Sequence, residues 1–339
     1  MEANEKQKAE HKERKKRIAI ITTGGTIAGS GKPGEAGVYE AGKLSVSEIV
    51  RSIPQVNDLA DLVMIPVTSV DSNDITTGDY RMIRALVRDL EKDENIDGIV
   101  ITHGTDTLEE SAFFLNLILD VHKPVVMTGA MRPATATSAD GPLNLYQAIA
   151  LAGDPRARDM GVLAVFSNTI YSGRDMIKTN SIKTDAFTHN EFGVMGYMQD
   201  ANVFLFHKPF IPHTHLSAFR NTSLDHLPSV EIFYVHMESD PELLKWMLDR
   251  YDGVVLAGTG SGNYSRAIQE VVESSRGQCT IVRSSHLMEG TVFDSPVFDP
   301  NKIAIPSYKL NPHKARLLLM LCLQEGMSQE KIRDIFSRY

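Results

Sequence analysis

The chain has 339 residues, enough for two domains of ordinary size. Hydrophobic residues make up 42% and charged residues 23%, the balance of a soluble globular protein, and 35 basic against 43 acidic side chains leave a formal net charge of −8. Such a length buries real cores without disulfide or metal staples, and a negative body argues against a nucleic-acid binder. The longest apolar run, Leu317 to Leu323, falls far short of the roughly 20 residues that a membrane span needs.

Residues 1–16 read as a charged tail. The first 17 residues hold five Lys, two Arg and four Glu. No apolar segment follows them before the first strand, so a secretory signal is not expected and the chain reads as cytoplasmic. Cys279 and Cys322 form no C-x-x-C pair, which leaves thiol redox and zinc-ribbon chemistry without support.

Arg17 to Thr23 is a β-branched apolar run ending at Gly24-Gly25 and reads as a buried strand. A short helix over Ser47 to Ser52, a strand over Leu62 to Val67 and a helix over Tyr80 to Glu91 follow. Next come a strand at Gly98 to Thr102, a helix at Leu108 to Leu119, a strand at Pro124 to Thr128, a helix at Leu143 to Leu151 and a strand at Val162 to Phe166. Strands alternating with helices mean βαβ units and a mostly parallel sheet. The rhythm breaks from His207 to Pro228, which carries Pro209, Pro212 and Pro228 and little periodicity. It resumes with strands at Val230 to Val235, Gly253 to Ala257 and Thr280 to Arg283. Helices are expected at Glu242 to Tyr251, Ala267 to Ser275, Pro312 to Leu323 and Ser328 to Phe336. The expectation is an α/β protein with a larger N-terminal domain over 17–206, a linker over 207–228 and a C-terminal α/β domain over 229–339.

The segments able to carry chemistry are polar turns at strand ends, where open parallel sheets bind ligands. In Thr22-Thr23-Gly24-Gly25-Thr26, two glycines allow a tight turn that exposes N–H groups, and Thr26 presents a hydroxyl beside them. That is what a hydroxyl nucleophile beside an oxyanion hole needs, although a plain Gly-rich turn has the same sequence. Thr102-His103-Gly104-Thr105-Asp106-Thr107 follows a strand and opens a helix. Asp106 and Thr107 suit helix caps, with Glu109 and Glu110 favourable in the first turn. Equally, the Thr105-Asp106 pair supplies a second hydroxyl and a carboxylate able to hold an ammonium group. Lys178, in a polar segment after a strand, serves as a base only if burial lowers its pKa. Gly29 to Gly34 matches G-x-G-x-x-G literally, but Pro33 blocks the helix geometry and the ribose-binding acid is missing. His213-Thr214-His215 offers two metal ligands without a third nearby in the chain, so no metal is expected.

Taken together, TTGGTIAGS, DGIVITHGTDTLEESAFFLNL, VVMTGAMRP, SADGPLNLYQAI, SGRDMIKTNS, VRSS and LNPHKARLLL resemble the bacterial-type L-asparaginase family, in order and spacing, from Arg17 to Tyr339. The motifs resemble its type II branch, whose members are usually exported. The resemblance implies two α/β domains, the smaller C-terminal one flavodoxin-like, and a homotetramer with each active site shared between subunits. It implies hydrolysis of L-asparagine to L-aspartate and ammonia without a cofactor. Carried over by position, Thr26 is the nucleophile, Tyr39 its partner, Thr105 the second essential hydroxyl and Lys178 its proton relay. Asp106 holds the substrate ammonium and Ser69 its α-carboxylate. Gly25 and Thr105 provide oxyanion N–H groups, the Ala130 carbonyl receives the leaving nitrogen, and Asn263 comes from the adjacent subunit. Two positions depart from the family pattern. Val70 stands for the usual Gln and Val297 for the usual Glu, which leaves Asp106 nearly alone on the ammonium and implies weak glutaminase activity. Asp294, Asp299 or Glu289 offers a replacement acid. Another small-amide hydrolase, the amidase part of an amidotransferase, or a binding protein without turnover are the competing expectations.

Overall fold

The computed structural model describes residues 14–32, 34, 39–40, 46–189, 191–275, 279–296 and 299–339. Almost all of the charged tail, and Val297, lie outside the described residues.

The strands, in chain order, are β1 (Lys16–Gly24), β2 (Ser30–Gly31), β3 (Tyr39–Glu40), β4 (Ala60–Val70), β5 (Gly98–Thr102), β6 (Val125–Thr128), β7 (Val162–Phe166) and β8 (Thr169–Ser172). They continue with β9 (Met176–Lys178), β10 (Phe187–His189), β11 (Gly196–Gln199), β12 (Asn202–Leu205), β13 (Val230–Tyr234), β14 (Gly253–Gly258), β15 (Thr280–Ser285) and β16 (Ile305–Pro306). Eight of them form one mixed sheet in the order β12-β11-β8-β7-β6-β5-β1-β4. From β4 to β7 the pairings are parallel, and from β7 to β12 antiparallel. A second sheet, β13-β14-β15-β16, is parallel throughout. The chain therefore has two α/β domains, the larger N-terminal.

Burial explains which strands read clearly. Every residue of β5, β6, β7 and β14 is buried, because helices cover both faces of a parallel sheet. The helices Leu108–Ile118 and Gly141–Ala152 lie on opposite faces of the large sheet, each in its own apolar cluster. The helix Pro312–Gln324 shares a cluster with Phe113 and Leu117 of the first domain and with Val255 and Val282 of the second sheet. It is thus buried from both sides and joins the domains.

Several expected elements are longer than their apolar runs. β4 covers 11 residues and the helix Thr77–Lys92 covers 16, closed at its start by a capping box of Thr76 and Asp79. β8 to β12 were not expected at all. They are three or four residues each, too short to show a period. The turn joining β7 to β8 places Ser167 and Asn168 both at positive φ, which matches the twist of a tight hairpin. The connection over 207–228 holds only the 3-10 turn Thr214–Leu216, but it is anchored by buried Phe219 and Leu224. At the other end, Arg14 donates to both Asp97 carboxylate oxygens at 3.0–3.1 Å, so β1 begins from a docked segment.

Candidate active site

Three strand ends meet at the carboxyl edge of the large sheet. Gly24 and Gly25 take φ of 102° and 81°. A Cβ on Gly24 would lie 2.5 Å from the Val70 carbonyl oxygen, and one on Gly25 would lie 2.4 Å from the Gly104 nitrogen. No side chain fits at either position. The two glycines let the turn after β1 wedge between the end of β4 and the loop after β5. That places the 3-10 turn Thr26–Ala28 beside the Thr105 loop, with Thr26 buried at 8% exposure. On the third side, a Cβ on Gly129 would lie 2.4 Å from the His103 carbonyl oxygen and 3.5 Å from Thr105 Cγ2. This brings Ala130 close to the Thr105 loop, and Asp140 accepts the neighbouring N–H groups of Met131 and Arg132 at 2.9 Å each.

Lys178 closes the group from the edge of the domain. Its Nζ donates to Thr105 Oγ1 at 3.0 Å and to Asp106 Oδ1 at 2.5 Å. Its backbone N–H donates to Glu109 Oε2 at 2.6 Å. The capping expectation for Asp106 and Thr107 is therefore corrected. Asp106 pairs with Lys178, and the helix Leu108–Ile118 starts without a side-chain cap. Thr107 Oγ1 instead donates to the Ser72 carbonyl at 2.8 Å, which ties the β5 loop to the end of β4.

The N–H groups expected to serve as oxyanion donors differ in their partners. The Gly25 N–H donates to the Val70 carbonyl at 3.1 Å. This bond seats the turn against the end of β4. The Thr105 N–H makes no hydrogen bond with the described residues. Ser69 is exposed at the end of β4, next to Val70. Tyr39 lies on β3, whose backbone pairs with β2 through Gly31. Asn263 lies in the turn after β14, where it exchanges backbone bonds with Thr259 at 2.7 and 2.9 Å. Among the described residues no hydrogen bond joins it to Thr26, Thr105 or Lys178. Two of the three substitute acids are engaged elsewhere. Asp294 pairs with Arg333 at 2.5 Å, and Asp299 accepts the N–H groups of Ile303 and Ala304 at 3.0 and 2.9 Å. Glu289 lies on an exposed turn.

Sequence reasoning missed the layer behind these groups. Glu109 was expected only as a favourable first-turn charge, but it holds the Lys178 backbone. Its other oxygen accepts from Asn311 Nδ2 at 3.2 Å. Lys314, one turn on, is fully buried and donates to the carbonyls of Arg174 and Met176 at 2.8 and 2.6 Å. Burial holds its pKa below the usual lysine value, with Glu109 and Asp175 opposing. Under the Thr105 loop, buried His103 faces the Gly104 carbonyl through Nδ1 at 2.7 Å and Ser111 Oγ through Nε2 at 2.9 Å. A carbonyl only accepts, so Nδ1 carries the proton. Ser111 Oγ in turn meets the Tyr80 hydroxyl at 2.6 Å. Burial lowers the His103 pKa to about 4 and raises that of Tyr80 to about 12. The network is therefore neutral at pH 7.

Away from this centre, the expectation that His213-Thr214-His215 has no third ligand nearby is also corrected. His215 lies beside His122 and Asp159, while His213 turns inward.

Comparisons with known proteins identify the family. Residues 17–211 match the family model for the N-terminal domain of asparaginase, and residues 229–336 that for the glutaminase/asparaginase C-terminal domain. The chain belongs to the asparaginase family. It is 38% identical over 326 residues to L-asparaginase 2 of Escherichia coli, covering 95% of this chain and 93% of that protein. It is 37% identical to the glutaminase-asparaginase of Acinetobacter glutaminasificans, covering 96% of this chain and all of that protein. A crystal structure from Campylobacter jejuni, described as a probable cytoplasmic L-asparaginase, superposes with a TM-score of 0.88 at 37% identity, over 96% of this chain and 100% of that one. No helix among the described residues is long and apolar enough to cross a membrane.

Proposed function

We propose that the protein is an L-asparaginase, hydrolysing L-asparagine to L-aspartate and ammonia in the cytoplasm, with Thr26 as nucleophile. The observation that carries this is the Lys178 amine bridging Thr105 Oγ1 and Asp106 Oδ1 beside the Thr26 turn. A hydroxyl, an amine within proton-transfer distance and a carboxylate for the substrate ammonium stand together at the strand ends.

In the first half-reaction, Thr26 Oγ attacks the side-chain amide carbon and its proton passes by way of Tyr39 to the amide nitrogen. The C–O bond forms, and the oxyanion is held by fixed N–H donors, among them that of Thr105. Each such donor is worth about 10²–10³ in rate. The C–N bond then breaks as the nitrogen takes a proton and leaves as ammonia past the Ala130 carbonyl. In the second half-reaction, water attacks the acyl carbon while its proton is relayed by Thr105 and Lys178 to the departing Thr26 oxygen, so the ester C–O bond breaks and aspartate and the Thr26 hydroxyl are released. Tyr39 partners Thr26, and Ser69 binds the substrate α-carboxylate. The substrate ammonium must share Asp106 with Lys178, so only a ligand that brings its own carboxylate to Ser69 competes well for it.

Asn263 sits in the C-terminal domain, away from the Thr26 turn of its own chain, which suits a site completed by a neighbouring subunit. Exposed aromatic side chains on the outer hairpin and the domain connection, Phe206 and Phe210 foremost, offer apolar surface for contacts between the subunits of a homotetramer. Glutaminase activity is weak in this scheme, because Val70 offers no polar contact to a longer substrate.

An ammonia-release assay with L-asparagine, L-glutamine and D-asparagine tests the assignment. Turnover of L-asparagine should be lost in Thr26→Ala and Thr105→Val. Full activity in both variants refutes the site, and equal kcat/KM for glutamine and asparagine refutes the selectivity.

A further inference from the structure

Three side chains from distant parts of the sequence meet at the opposite edge of the large sheet. His122 precedes β6, Asp159 precedes β7, and His215 belongs to the domain connection. His122 Nδ1 lies 2.6 Å from Asp159 Oδ1, and His215 Nδ1 lies 3.7 Å from the same oxygen. The ligand atoms of all three fall within 4.8 Å of one another, and among the described residues no other group of His, Cys, Asp or Glu does so.

We propose that His122, Asp159 and His215 bind a divalent transition-metal ion of the zinc class, which fastens the domain connection to the N-terminal domain. Two imidazoles and one carboxylate are the donors that zinc and its neighbours take, whereas magnesium and calcium want oxygen alone. Bonds of about 2.0–2.2 Å in tetrahedral geometry separate ligand atoms by roughly 3.3–3.5 Å. The His215 spacing is already near that value. The His122 spacing opens to it by less than 1 Å once the metal replaces the shared proton. The two rings stack with centroids 4.1 Å apart and planes at 29°, so one must rotate to aim its nitrogen. His122 is half-exposed and free to do so.

The backbones beneath the ligands are fixed. Asp159 N–H donates to the His122 carbonyl at 3.1 Å, and Asp159 holds φ at 58°. Met160, His213 and Thr214, next in chain to two of the ligands, are buried. The His213 Nδ1 meets Thr214 Oγ1 at 2.9 Å, and its ring abuts His215 edge-on. Because β6 and β7 begin here and the active site lies at their other ends, the ion is structural and does not touch the substrate.

The test uses the full chain, freed of metal by a chelator and titrated with zinc chloride by calorimetry. One ion per chain should bind, with affinity falling at least about tenfold in His122→Ala and in His215→Ala. Saturating zinc should raise the wild-type Tm by at least about 3 °C and that of the variants by less. Cobalt(II) should give the visible absorption band of a tetrahedral site in the wild type and in neither ligand variant. His236→Ala serves as control, and unchanged asparagine turnover in all variants confirms that they fold. Absence of saturable zinc binding to the wild type, or undiminished binding in either ligand variant, overturns the proposal.

Discussion

Glu109 holds Lys178 by its backbone, with Oε2 accepting the N–H at 2.6 Å, while the Lys178 side chain faces Thr105 and Asp106. One carboxylate on a helix therefore sets where an amine on a neighbouring strand can reach. Asn311 of the C-terminal domain donates to the other oxygen, and its own Oδ1 caps the next helix by accepting from the Lys314 N–H at 3.0 Å.

Glu109→Gln should therefore impair activity beyond the loss of one charge. A glutamine satisfies the Lys178 N–H only by turning its NH₂ toward Asn311, whose own NH₂ already points there. Asn311 cannot flip without breaking its cap. Displacement of a reacting group by about 1 Å can cost on the order of 10² in rate, and a partial shift of β9 should lower kcat by about tenfold. KM should change little, because Ser69 lies on another strand. A Glu109→Gln enzyme with wild-type kcat sinks this account.

Thr105 and Lys178 act as one unit in the proposed chemistry, so their losses should not add. Lys178→Met and Thr105→Val should each lower kcat/KM by several orders of magnitude, and the double variant should be no worse than the weaker single one. Steady-state kinetics on the three proteins decide it. Multiplying penalties would mean that the 3.0 Å contact has no catalytic role.

His103 gives the fold a defined acid limit. Its pKa is about 4 in the fold against an ordinary value of 6.5. Between those values the unfolded chain binds more protons, so stability is complete above pH 6.5 and declines as pH falls towards 4. His213, also lowered to about 4 by burial, behaves in the same way. Each contributes a loss of about 2 kcal/mol by pH 5. Urea unfolding at pH 7 and pH 5 should show the fall. His103→Asn keeps a donor for the Gly104 carbonyl without a titrating ring, and should reduce the pH 5 to pH 7 difference by about 2 kcal/mol. An unchanged difference in that variant excludes His103 as the source.

Much of the fold was legible because burial and periodicity coincide. Gly98–Thr102 and Val162–Phe166 are fully buried strands, so their apolar runs and their structural limits are the same. The strands from Thr169 to Leu205 were not legible. Their pairing is set by hairpin turns at Ser167-Asn168 and Asp200, and local apolarity contributes little. At the site, Thr26, Thr105, Asp106 and Lys178 were visible as polar residues at strand ends. Glu109 was visible only as a helix charge, since its partner lies 69 residues on. The partner of the Gly25 N–H was not legible for a related reason. Which acceptor it meets depends on the register of β1 and β4, which slips between Thr22 and Gly24.

Asn263 yields the sharpest test of a shared site. If Thr26 of one subunit works with Asn263 of another, a Thr26→Ala subunit and an Asn263→Ala subunit can repair each other. In a mixed pair, one site carries both defects and the other carries neither. Random pairing at equal amounts should then restore about one quarter of wild-type activity, since half the pairs are mixed and half their sites are intact. Denaturing the two variants together and refolding them permits that exchange, and each variant refolded alone provides the baseline. If each site belongs to a single chain, the mixture can only average the two variants. Activity well above that average is possible only when the second domain serves a neighbour's nucleophile.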